Sequence, residues 1–169
     1  MAIANLLVQR GIKSFADAKS FFRPKLTDLH DPFLMKDMDK AVDRLQRAVN
    51  QDERVMVYGD YDVDGTTSVA LMYTFLSKRI SEIEYYVPDR YMEGYGISNI
   101  GIEYAASKNI SLIIVLDCGI KAVEKIAYAK ELGIDFIICD HHNPDDQVPE
   151  AVAVLDPKQP GCNYPYKEL

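Results

Sequence analysis

The sequence predicts a doubly wound α/β domain with a mostly parallel sheet of about five strands, preceded by a small helical segment. Three observations predict it. Short apolar runs rich in β-branched residues recur at 55–58, 83–87, Leu112–Leu116, 136–139 and 152–155. Stretches with apolar residues at helical spacing separate most of them, and such alternation implies right-handed βαβ units. The runs at 55 and 112 are apolar at every position, as strands covered on both faces of a parallel sheet are.

Residues 1–35 read as a separate segment, with short helices at 3–8 and Phe15–Phe22 before Pro24 and Pro32 break the chain into loop. The main domain is expected over 36–169. From Met38, the residues Met38, Val42, Leu45 and Val49 form an apolar stripe, with charges on a solvated opposite face. Strand 55–58 then leads to a helix at 66–77 that is expected to bury Val69, Leu71, Met72, Phe75 and Leu76. Strand 83–87, with Tyr85 and Tyr86 read as core, runs into the loop Pro88 to Gly96. Ser98 is a good cap for the helix that follows. Strand Leu112–Leu116, a helix at 122–132 stopped by Gly133, strand 136–139 and strand 152–155 complete the alternation. An irregular tail begins at Asp156.

Composition narrows the function classes. The 169 residues are 48% hydrophobic and 27% charged, which is ordinary for one soluble domain. No apolar run approaches the length of a membrane span, and the N-terminus lacks the charged head and apolar centre of a secretory signal. Three cysteines without paired spacing fit a reducing compartment, so the expected location is cytoplasmic. A net charge of −7 argues against this segment alone gripping phosphate backbones strongly. It leaves a nucleic-acid substrate open, because bound cations can supply positive charge locally.

In a parallel sheet every strand ends on one edge, and ligands bind there at a switch in strand order. That edge should collect Asp60, Asp62 and Asp64, then Asp117, then Asp140, His141 and His142. Carboxylates crowded at strand ends repel one another and persist most easily around a cation. Alternate residues of an extended segment point the same way, so Asp62 and Asp64 are expected to share one pocket, while one of the three aspartates caps the next helix. Adjacent histidines are costly to bury for packing alone. One can ligate a metal while the other faces substrate, with Asp140 orienting a ring. Cys118 reads as a packed small residue, since an oxygen-rich set suits manganese or magnesium better. Arg90 could clamp a phosphate, or form only a surface ion pair, while Gly94 and Gly96 let backbone approach a ligand.

The segments Gly59-Asp-Tyr-Asp-Val-Asp-Gly65, Asp117-Cys-Gly119 and Asp140-His-His142 resemble the first three motifs of the DHH phosphoesterase superfamily. Within it, Arg90 to Gly96 and the stretches Arg10-Gly11, Phe21-Phe22-Arg23-Pro24 and Asp31-Pro32-Phe33 resemble the RecJ single-strand-specific exonucleases. The resemblance implies two Mn²⁺ or Mg²⁺ ions, with Asp62 on one, Asp64 and His141 on the other, and Asp117 on both. His142 would sit near the scissile phosphate, with Arg90, Gly94 and Gly96 on the substrate and Asp60 and Asp140 in support. It further implies 5′→3′ degradation of single-stranded DNA to mononucleotides in recombination and repair, with a helicase or single-strand binding protein as partner.

Two departures qualify this. Tyr58 stands where many members carry a histidine four residues before the first metal aspartate. The family's fourth-motif aspartate would fall past Leu169, as would the DHH-associated and OB-type domains, so the expectation is an N-terminal portion inactive alone. Other DHH hydrolases, acting on short oligonucleotides, cyclic dinucleotides or pyrophosphate, and a binding module that lost the chemistry remain open at this level.

Overall fold

The computed structural model of the chain describes residues 2–168 and divides into two units, Met1–Asp31 and Pro32–Leu169. The first holds α1 (Ala2–Gln9) and α2 (Phe15–Phe22). Ser14 caps α2 in a reciprocal box, its hydroxyl accepting from the Asp17 N–H at 3.1 Å while the Asp17 carboxylate accepts from the Ser14 N–H at 3.2 Å. The loop expected around Pro24 and Pro32 contains single 3-10 turns at Leu26–Asp28 and Pro32–Leu34.

The second unit runs α3 (Met38–Asn50), β1 (Val55–Gly59), α4 (Val63–Leu76), β2 (Ile83–Tyr86), α5 (Asn99–Ser107), β3 (Leu112–Leu116), α6 (Val123–Glu131), β4 (Asp135–Cys139) and β5 (Ala153–Leu155). All pairings are parallel, in the order β2-β1-β3-β4-β5. The chain moves outward from β1 to β2 and then returns to the other side of β1, so the switch in direction falls between β1 and β3. Both strands are buried at every position, as their unbroken apolar sequences require. Val55 and Val57 pack with Ala41 and Ala48 of α3 and Val69 and Leu76 of α4 on one face; Met56 and Tyr58 pack with residues of α5 and α6 on the other. Among the described residues, no helix is long and apolar enough to cross a membrane.

Three packing expectations are corrected. Helix α3 buries Ala41, Arg44 and Ala48, while Val42 of the expected stripe is exposed. The small alanines belong to the core cluster beneath α3, and the buried arginine is neutralised there. Its Nε meets Asp135 at 2.6 Å and its Nη2 meets Glu53 at 2.7 Å. Helix α4 starts at Val63, three residues earlier than expected, and presents Gly65, Val69 and Leu76 inward. Leu71 and Phe75 are 74% and 51% exposed. A side chain at Gly65 would place a Cβ 2.3 Å from the Asp60 carbonyl oxygen, so glycine sets how closely α4 approaches β1. Tyr85 is exposed because β2 is an edge strand.

Burial pushes the Glu53 carboxyl up, and hydrogen bonds from Arg44 and Ser111 outweigh that and hold it below the ordinary range. The stabilisation it contributes is therefore present above the unfolded carboxylate's pKa and lost as pH falls through the lower folded value. Arg44→Leu should destabilise the fold by about 3 kcal/mol at neutral pH, since Glu53 stays half-buried without its partner. The gap between wild type and variant in urea unfolding should shrink at about pH 3. An equal gap at both pH values would contradict this assignment.

Candidate metal centre

At the β1 end the extended chain stops at Asp62, whose backbone is the last non-helical position before α4. Its carboxylate caps that helix, accepting from the Gly65 N–H at 2.9 Å. Asp64 already lies in the first helical turn. The two carboxylates therefore do not share one extended segment, as alternation had implied. They reach the same edge from a cap and a helical turn instead. Asp64 lines a cavity with Asp117 and His141.

Asp117 follows β3 in a left-handed conformation, φ 62°, which aspartate and asparagine tolerate better than most side chains. Its N–H donates to the Cys139 carbonyl at 2.8 Å, which ties the turn to β4. This places a buried carboxylate against Asp62 on one side and the histidines on the other. His141 Nε2 lies 3.1 Å from Asp117 Oδ1. One donor atom from each of Asp117, His141 and His142 falls within 4.8 Å of the others.

The charges reveal the strain in this arrangement. The Gly65 N–H holds Asp62 below its ordinary pKa. Burial, and then the neighbouring Asp62 charge, push Asp117 up to about 6. The pair thus ionises in two separated steps because the second charge meets the first. A carboxylate pair with imidazole alongside is a hard-to-borderline donor set, fitted to a divalent cation such as manganese.

Asp140 does the orienting work. It is buried, and its Oδ1 accepts from the His141 and His142 N–H groups at 2.7 and 3.1 Å and meets His142 Nδ1 at 2.7 Å. Its Oδ2 accepts from the Ile120 N–H at 2.9 Å. Burial alone would raise its pKa, but these donors outweigh that and keep it low, so the carboxylate is ionised and His142 is aimed. Asp60 is wholly buried, and its Oδ1 accepts from the Gly96 N–H at 3.3 Å. Its Oδ2 is buried without a hydrogen-bond partner among the described residues.

Tyr58 answers the first departure. It is 1% exposed, stacked on Tyr86 with centroids 5.3 Å apart. Its hydroxyl donates to the Gly96 carbonyl at 2.9 Å and accepts from the Ser98 N–H at 3.2 Å. Both bonding directions are in use, and burial drives the phenol's pKa upward, so Tyr58 anchors a loop and is no ligand. That loop, between β2 and α5, is also held through Glu93, which accepts from Tyr86 and Ser98 and from the Asp89 N–H. It turns on Gly94 and Gly96, with φ of 81° and 78°. Arg90 sits over the Tyr61 ring at 5.4 Å. Cys118 is buried, as expected of a packing residue.

Two tyrosines were not legible as site residues. Tyr95 Oη lies 3.3 Å from His142 Nε2, and Tyr61 meets the Tyr95 ring edge-on at 6.3 Å. The available signal was Tyr95 between two glycines on the loop, but tyrosine serves cores and surfaces equally well. Asp156, just past β5, is fully buried and feels the charges of Asp140 and His141, although it is not one of the three-residue cluster.

Comparison with known proteins follows the same lines. The DHH family, N-terminal domain, matches residues 54–164. The single-stranded-DNA-specific exonuclease RecJ of Bacillus subtilis (strain 168) is 46% identical over 167 residues, covering 99% of this chain and 21% of that protein. Its Escherichia coli (strain K12) counterpart is 39% identical over 133 residues, 78% of this chain and 23% of that one. The crystal structure of exonuclease RecJ bound to manganese superposes with TM-score 0.71 at 28% identity, over 79% of this chain and 34% of that chain. RecJ in complex with Mn²⁺ from Thermus thermophilus gives TM-score 0.69 at 25% identity, over 94% and 22%. The chain thus spans 21% and 23% of the length of these two curated relatives.

In metal-free protein, the Asp117 carboxyl should titrate near pH 6 in carbon-detected NMR, and Asp62→Asn should lower that value. Because the folded pKa is raised, the stabilisation linked to this group is full below the unfolded pKa and lost as pH rises through about 6. A titration at the ordinary carboxylate range in wild type would contradict the geometry.

Proposed function

The chain belongs to the DHH family, and on that premise we propose that it is the metal-binding N-terminal part of a RecJ-type exonuclease that hydrolyses single-stranded DNA from the 5′ end. The observation that carries the reading is the meeting of Asp117, His141 and His142 within 4.8 Å at the β1/β3 switch, with Asp62 against Asp117. Relatives that share this domain are named for single-stranded DNA, and two similar solved structures are described with manganese.

In this reading Asp62, Asp64, Asp117 and His141 would hold two Mn²⁺ or Mg²⁺ ions. When bound, the ions supply positive charge to the developing negative charge of a phosphodiester and acidify a water molecule. The chain's own groups do the rest. Asp140 fixes the tautomer of His142 by taking the Nδ1 proton into a hydrogen bond, so neutral His142 accepts from Tyr95 at Nε2. Protonated His142 carries its second proton on Nε2, where it can pass to the leaving oxygen as the P–O bond breaks. Arg90, braced on Tyr61, offers planar donors to a flanking phosphate, and Gly94 and Gly96 allow backbone to approach it. Asp60 and Asp140 support these groups. The division at 1–35 and 36–169, a cytoplasmic location, a role in recombination and repair, and a helicase or single-strand binding protein as partner belong to the same proposal.

The test is Mn²⁺-dependent release of mononucleotides from 5′-labelled single-stranded DNA by the full-length protein. Asp117→Ala should lower it by at least on the order of a hundredfold, because it removes a ligand and not merely a supporting group. Unchanged release would sink the reading. Preferred cleavage of dinucleotides or pyrophosphate over long strands would move the chain to another DHH hydrolase.

A further inference from the structure

The loop between β2 and α5, residues 87–98, carries Arg90, which sits over the Tyr61 ring, and Tyr95, whose hydroxyl lies 3.3 Å from His142 Nε2. A Cβ at Gly94 would meet nothing within 4 Å, so packing around that glycine does not fix the turn. A segment with such freedom keeps one shape only if its hydrogen bonds over-determine it. Glu93 supplies those bonds. Its neighbours Tyr91 and Met92 are 93% and 79% exposed, but its own side chain is half-buried and turned back onto the loop. The Glu93 N–H donates to the Asp89 carbonyl at 2.9 Å, and Glu93 Oε1 accepts from the Asp89 N–H at 2.8 Å. Residues 89–93 therefore form a ring closed twice, with Arg90 inside it. The Asp89 carboxylate ties the ring internally, accepting from the Tyr91 and Met92 N–H groups at 2.8 and 2.9 Å. Glu93 Oε2 anchors the ring to the sheet and to the next helix. It accepts from the Tyr86 hydroxyl at 3.0 Å and from the hydroxyl of Ser98, the residue that caps α5. Burial and then the Glu93 bond push the Tyr86 phenol up to about 12, so it stays a donor at neutral pH.

We propose that Glu93 is a positioning residue, whose carboxylate holds the 89–93 ring on β2 and α5 so that Arg90 is presented to a phosphate of the bound strand. The proposal rests on the hydrolase reading for the role of Arg90 and on the bonds of Glu93 for the rest. Those bonds suit a carboxylate specifically. Both oxygens accept at once, from donors on the end of β2, the start of the loop and the start of α5. Glu93→Gln keeps one acceptor oxygen and puts an N–H donor where the other stood. Glu93→Ala removes both. Arg90 is then a long side chain on an unanchored backbone, and ordering the two when a strand binds costs affinity. That cost falls on strand binding, because Asp62, Asp117 and His141 are set by other strand ends and other hydrogen bonds.

The experiment compares the full-length protein with Glu93→Ala, Glu93→Gln, Arg90→Ala and the double variant Arg90→Ala/Glu93→Ala in Mn²⁺-dependent release from 5′-labelled single-stranded DNA. Glu93→Ala should raise KM at least about tenfold, with kcat and Mn²⁺ affinity changed by less than about threefold. Glu93→Gln should recover part of that loss. KM of the double variant should be no higher than that of Arg90→Ala, because both changes remove one and the same phosphate contact. Hydrogen exchange in Glu93→Ala should be at least about tenfold faster in the peptide covering residues 87–98 and unchanged in those covering 117–120 and 139–142. Losses that multiply in the double variant, a fall in kcat with KM unchanged, or unaltered exchange in 87–98 would overturn the proposal. A wild-type protein that releases no nucleotide would overturn the hydrolase reading and the phosphate role with it, while faster exchange in Glu93→Ala would still support the hold of Glu93 on the loop.

Discussion

Asp62 and Asp117 face each other across the ends of β1 and β3, and their repulsion is the constraint on which the rest of the site depends. Neither carboxylate reaches that position by chance of loop packing. Asp62 is fixed by its cap on α4, and Asp117 by a left-handed turn hydrogen-bonded to β4. Folding therefore pushes the Asp117 carboxyl up to about 6 and works against its own stability near neutral pH. A domain that retains such an arrangement gains from it only when a cation neutralises the pair.

The parallel sheet explains how residues far apart in sequence come to meet at that point. With every strand pointing the same way, the segments after β1, β3 and β4 open on one edge, and the order switch between β1 and β3 leaves a crevice there. Two buried groups around the cluster are multiply hydrogen-bonded. Asp140 gathers four donors from Ile120, His141 and His142, and Tyr58 uses both sides of its hydroxyl on the loop that carries Arg90 and Tyr95. This bonding keeps His142 aimed at the cluster.

Most of this was readable in advance because strand and site signals share a grammar. Apolar runs ending in aspartate and glycine announce both a buried strand and the edge at which it stops, and Ser98 and Gly133 marked helix limits through local chemistry alone. What escaped the sequence was set by tertiary contact. Periodicity placed Val42 inside and Arg44 outside, but two small alanines and two acidic partners reversed them. Asp62 and Asp64 looked like one extended pair, but the cap at Asp62 begins the helix early enough to separate them. Tyr95 and Tyr58 carry opposite roles from identical side chains, and only their neighbours distinguish a site residue from an anchor.

Proton and cation exchange at Asp117 is the property on which the site stands or falls. Calorimetric titration of Mn²⁺ into the chain, repeated at about pH 6 and about pH 8 in buffers of different ionisation enthalpy, measures it. Mn²⁺ should bind at both, with net proton release at the lower pH that vanishes at the higher. Absence of Mn²⁺ binding, or proton release independent of pH across that range, would contradict it.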